Sequence, residues 1–171
     1  MVILRATQKV LRSLPPKSST DNEISDTALG DWYVNRTVVD RQPLLLFVSS
    51  KSLLAIIAPA RDVRMLPQRF PGMVAGRLRD LGVGLPLIGA ELDAMHEVHV
   101  GRTINRSVVG VMVDFARALP FHLPVNGWDS TTLRHAESLL AETPCRVTRG
   151  TGKVIFPERQ APELLAEKWS Q

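Results

Sequence analysis

Residues 31–50, DWYVNRTVVDRQPLLLFVSS, set two β-prone runs on either side of an RQP segment, and the β-branched and aromatic enrichment of both runs reads as a pair of antiparallel strands. Working backwards, VILR at 2–5 reads as a short strand and Thr7 as the N-cap of a helix over 8–14, with Val10, Leu11 and Leu14 on one face. Between them and the hairpin, PPKSSTDNEISDT at 15–27 is rich in Pro, Ser, Asp and Asn, which predicts a surface loop that adds nothing to the core.

Working forwards, Ser49 or Ser50 is placed to cap a helix through KSLLAIIA, ended by Pro59. Pro67 and Pro71 divide the helical pattern of 61–82 into two short helices, the second stopping at Gly82. EVHV at 97–100 is short and β-prone and is expected to join the sheet. Residues 108–119 carry Val108, Val109, Val111, Met112, Phe115, Ala116 and Leu119 around more than half of a helical circumference, which predicts a central helix in which Gly110 serves close packing. A helix over 131–142, a last strand KVIF at 153–156 and a short helix near 161–169 complete the chain, with 157–171 expected at the periphery.

These elements predict an α+β fold in one domain spanning 1–171. Its small mixed sheet is drawn from strands near 2–5, 31–39, 44–48 and 97–100, with helices packed around it. With 44% hydrophobic and 22% charged residues, the composition is that of a globular domain. A single cysteine, Cys145, excludes an intrachain disulfide and a cysteine-based zinc site. Arg5, Lys9 and Arg12 interrupt the N-terminal apolar pattern, and no apolar run approaches the roughly 18 residues a membrane span needs, so a cytoplasmic location and no membrane partner are expected. The net charge of +4 and a pI near 9.7 permit attraction to nucleic acid or another polyanion without requiring it.

The segment TINRSVVGVMVDF, 103–115, holds the candidate site. Asn105 or Ser107 stands where a helix N-cap belongs, and Arg102 and Arg106 beside a helix N-terminus suit a phosphate or carboxylate. Cap alone and anion site both remain open on the sequence. Asp114, an acid on an apolar helix, calls for a partner: Arg117 three positions along the helix, or Arg36 or Arg106 in a tertiary ion pair, of which Arg106 is favoured, or else a role as a general base beside a histidine. His96 and His99 with Glu91 or Asp93 do not make a metal site, because strand positions three apart face opposite sides. RGTGKV at 149–154 fails as a phosphate-binding loop, having Val147 and Val154 where the pattern needs glycine and Ser or Thr. Arg61, Arg64, Arg69, Arg77 and Arg79 form the densest basic segment. A nucleic-acid surface would need them to share a face with Arg102 and Arg106, with exposed aromatics such as Trp32 or Tyr33 for single strands. No motif asks for a cofactor.

MVILRATQKVL, LGDWYVN and NRSVVGVMVD, taken together and in order, resemble a family of bacterial proteins of unknown function. The resemblance implies a shared fold and a shared site among Leu29, Gly30, Trp32, Tyr33 and Asn35 with Asn105, Arg106, Ser107, Gly110, Met112 and Asp114, and it names no reaction. The expected function is a non-enzymatic binding module for a phosphate-bearing partner such as nucleic acid. The alternatives are a hydrolase-like enzyme using Asp114 with a histidine, and a protein-interaction or antitoxin-like component.

Overall fold

A computed structural model describes residues 1–125, 127–146 and 153–171. Five strands form one mixed sheet: β1 (Val2–Ala6), β2 (Trp32–Val39), β3 (Gln42–Ser49), β4 (Ala55–Pro59) and β5 (Val98–Arg102), in the order β4-β3-β2-β1-β5. β1 runs parallel to both neighbours, with Leu4 opposite Trp32 and Val100, while β2, β3 and β4 are antiparallel. The helices are α1 (Gln8–Leu11), α2 (Leu66–Asp80), α3 (Leu85–Ala94), α4 (Arg106–His122), α5 (Ser130–Ala141) and α6 (Pro157–Trp169). The chain is thus a single α+β domain. β6 (Cys145–Arg146) and β7 (Val154–Ile155) pair as a separate short ladder, so the expected last strand stands outside the main sheet.

Alternation along the strands explains the layering. Val2, Leu4, Ala6, Trp32, Val34, Leu45, Phe47 and Ile56 face one side, where Phe70, Val74 and Leu78 of α2 and Ala161 and Leu165 of α6 meet them. Tyr33, Leu44, Leu46, Val48 and Ile57 face the other, under Val108, Val111, Met112, Phe115 and Leu119 of α4 and Leu133, Ala136 and Leu140 of α5. The C-terminal segment is therefore not peripheral: Ala161 and Leu165 are fully buried, and the Trp169 indole N–H donates to Glu91 at 2.7 Å.

Several local expectations are corrected. KSLLAIIA is not a helix. Ser52 donates its hydroxyl to that of Ser49 at 2.9 Å, Leu53 takes a left-handed φ of 59°, and the chain turns back so that 55–59 pairs with β3. A short apolar run suits strand and helix equally, and the available partner strand decides. The turn of the first hairpin lies at Asp40-Arg41, both with positive φ, rather than at RQP; this is the twist that a two-residue hairpin loop favours. α2 is one helix despite Pro71. An interior proline costs about 3 kcal/mol, but burying Phe70, Val74 and Leu78 on one stripe contributes about 1.5–3 kcal/mol each and outweighs it. α3 was not anticipated, and Gly110 is exposed with open space where a Cβ would stand, so it serves no close packing.

Both sheet edges carry capping contacts. At β4, Arg77 Nε donates to Ala55 O at 3.1 Å and the Glu137 carboxylate accepts from Ile57 N at 2.8 Å. At β5, Ser18 and Ser19 donate their N–H groups to Val100 O, each at 2.9 Å. Strand edges left bare invite pairing with other chains, and these contacts occupy part of each edge.

Candidate functional site

The parallel arrangement brings the carboxyl ends of β1 and β5 side by side, with Ala6 opposite Arg102. From Arg102 the chain crosses Thr103 and Ile104 and enters α4. A cleft of about 580 Å³ opens there, lined by Asp21, Arg102, Thr103, Ile104, Asn105, Arg106 and Val109. Three of the sequence-predicted residues, Arg102, Asn105 and Arg106, thus share one cleft.

Asn105 is the N-cap of α4. Its side-chain oxygen accepts from Ser107 N at 2.9 Å and Val108 N at 3.3 Å, which satisfies two of the orphan amides of the first turn. Ser107 is exposed one position inside the helix and is not the cap. Tyr33 lies beneath the tip, buried, and its phenolic oxygen accepts Asn105 N at 3.0 Å; burial raises its pKa above the usual phenol value, against the Asn105 N–H that lowers it. Asn35, two residues along β2 on the same face, accepts from the Thr7 hydroxyl at 2.7 Å and from Arg36 N at 2.8 Å, joining β2 to the end of β1. Trp32 points to the opposite face, wholly buried and edge-on to Phe70 at 5.5 Å. Neither aromatic is available for stacking on bases.

Arg106 and Asp114 are not brought together. Both are exposed, and no ion pair links them among the described residues. Eight positions on one helix are separated by about 12 Å of rise, and the apolar stripe that fills the core lies elsewhere on α4, so Asp114 sits in water and needs no partner. Its charge is felt by Cys145, whose thiol is pushed up to about 11, chiefly by burial and then by Asp114. No hydrogen bond or ion pair joins Asp114 to a histidine among the described residues: His99 faces Glu97 and Glu23, and His96 Nδ1 faces Asp93 O. Among those residues no group of three or more His, Cys, Asp or Glu side chains is placed to hold a metal ion.

The remaining wall of the cleft comes from the loop at 15–27. It lies on the surface, yet Ser19, Ser25 and Thr27 are buried, so it is a packed element. Its anchor is Arg5, fully buried in β1. The guanidinium donates to Asp31 Oδ2 at 2.9 Å, to Thr20 O at 3.3 Å and to Glu23 O at 3.2 Å, while Asp31 accepts the Ser25 hydroxyl at 2.6 Å. Gly101 makes room for it, since a Cβ there would stand 2.8 Å from Arg5 Nη1. The loop tip places Asp21 against Arg102, with both carboxylate oxygens on Arg102 Nε at 3.0 and 2.9 Å and a further bond from Nη2. The Arg102 hydrogen bonds and charge hold the Asp21 carboxyl below the usual range, and Asp21 in turn raises Arg102. Sequence reasoning missed Arg5, Asp21 and Asp31; the signal for Arg5 was a charge inside an apolar strand, where burial demands partners.

The basic segment of α2 does not extend the site. Arg77 is buried at the β4 edge, and α2 packs on the sheet face opposite α4, so its exposed Arg69 and Arg79 do not share a face with Arg106. Residues 149–152 of the RGTGKV segment lie outside the described residues. Among those residues, no helix is long and apolar enough to cross a membrane.

Fold and cleft together define a mixed α+β domain with an arginine-lined groove at the carboxyl ends of its parallel strands. The chain belongs to the family described as a domain of unknown function, DUF6933, whose model matches residues 3–160. No curated protein and no solved structure matches it.

Proposed function

We propose that the chain is a non-catalytic, cytoplasmic binding module whose ligand presents a phosphate group to the cleft at the α4 tip. The observation that carries this reading is the convergence of Arg102 and Arg106 with the N-terminus of a 17-residue helix in one cleft. The helix dipole favours an anion at the N-terminus even with Ser107 N and Val108 N capped by Asn105, and arginine matches phosphate geometry bidentately. Open sheets with parallel strands take ligands outside the carboxyl ends of those strands, which is a likeness of architecture rather than of chemistry. A terminal phosphate suits this site better than a long duplex does, because the arginines of α2 lie across the sheet. In a titration of the full chain with inorganic phosphate, a mononucleotide and short oligonucleotides, the amides of 102–109 should respond first. An Arg106→Ala chain should lose that response while keeping its melting temperature.

A further inference from the structure

The Asp21–Arg102 pair closes one end of the cleft. Asp21 sits between two fixed posts: Arg5 holds the carbonyls of Thr20 and Glu23, on either side of it, at 3.3 and 3.2 Å, and Glu23 is tied further by its carboxylate accepting Thr20 N at 3.1 Å. The short tip is thereby aimed at Arg102, whose guanidinium it grips with both carboxylate oxygens. A guanidinium fork presents the same donors to a phosphate as to a carboxylate.

We propose that Asp21 is a built-in occupant of the cleft: its carboxylate holds on Arg102 the place that a ligand's phosphate oxygens take, and a bound phosphate frees the tip residues 21–22 from Arg102. This inference rests on the reading of the cleft as a phosphate site. The exchange is feasible because the pair is exposed, with Arg102 at 58% and Asp21 at 36%, and exposed pairs are weak. Lys17 Nζ, already 3.8 Å from Asp21 Oδ1, is a second cation for the released carboxylate. The posts at Thr20 and Glu23 confine the movement to the tip, because Arg5 is buried and does not leave with Asp21.

The test is a titration of the full chain with inorganic phosphate at constant ionic strength, followed by NMR. The native sequence is compared with Asp21→Asn, with Arg106→Ala, and with Asp62→Asn, which removes one exposed acid outside the cleft. Asp21→Asn should bind phosphate roughly two- to fivefold more tightly than native, as loss of a weak exposed competitor allows, and Asp62→Asn should bind as native does. In the native chain the Arg102 Nε–H and the amides of 21–22 should shift together with those of 105–107, and hydrogen exchange at 21–22 should quicken. If Asp21→Asn binds as native does, if Asp62→Asn tightens binding equally, or if the native chain takes phosphate with Arg102 Nε–H and the tip unmoved, the displacement is overturned while the phosphate site stands. If neither native nor Asp21→Asn perturbs 105–107, both the site and the displacement fall.

Discussion

The phenolic oxygen of Tyr33 accepts the backbone N–H of Asn105 at 3.0 Å, so a strand 72 residues earlier in the chain fixes where α4 begins. Removing the acceptor leaves a part-buried N–H without a partner. Tyr33→Phe should therefore destabilise the chain by about 1–3 kcal/mol, read as a lower denaturation midpoint together with a displaced Asn105 amide resonance. An unchanged midpoint would show that the contact does not hold the tip.

Arg5 is a buried cation with three oxygen partners, and truncating one member of such a pair strands the others. Arg5→Met is expected to cost about 3–5 kcal/mol and to raise hydrogen exchange across 15–27 before the rest of the chain opens. A loss under about 1 kcal/mol, as for an exposed pair, would contradict the anchoring role.

Two glycines should respond in opposite ways. Gly101→Ala pushes a Cβ to 2.8 Å from Arg5 Nη1 and should destabilise by about 1–3 kcal/mol through overpacking. Gly110→Ala meets open space inside α4 and should stabilise by about 0.5–1 kcal/mol through helix propensity and unfolded-state entropy. Thermal unfolding of both variants decides the matter.

Glu137 gives stability a pH dependence. Burial raises its carboxyl from 4.5 to about 7, against the Ile57 N–H and the Arg77 charge, which favour the anion. The folded chain keeps this proton up to about pH 7 while the unfolded chain releases it near 4.5, so the contribution is complete below 4.5 and is lost as pH rises through 7. The difference is on the order of 3 kcal/mol. Glu137→Gln should flatten that part of the stability profile; an unaltered slope would place the titration elsewhere.

The hairpin at 32–49 was legible because two β-prone runs flank a turn, and the Asn105 cap because capping chemistry is local. β4 was not, since AIIAP fits either periodicity and only its register with Leu44–Val48 selects the strand. In the sequence the two prolines of α2 look like breaks, because the Phe70–Val74–Leu78 stripe stabilises the helix only once a sheet is there to receive it. The site was half legible: Arg102, Asn105 and Arg106 lie close in sequence, whereas Asp21 and Arg5 reach it through tertiary contacts that no spacing encodes. The Arg106–Asp114 pairing failed for a local reason, the length of helix between them.

The phosphate site proposed at the α4 tip is put to the test by titrating the full chain with phosphate, with Arg106→Ala as control. Binding there should give saturable shifts of the Arg102, Asn105, Arg106 and Ser107 amides, abolished in Arg106→Ala at an unchanged melting temperature. Shifts spread evenly over the chain, or a response identical in Arg106→Ala, would contradict it.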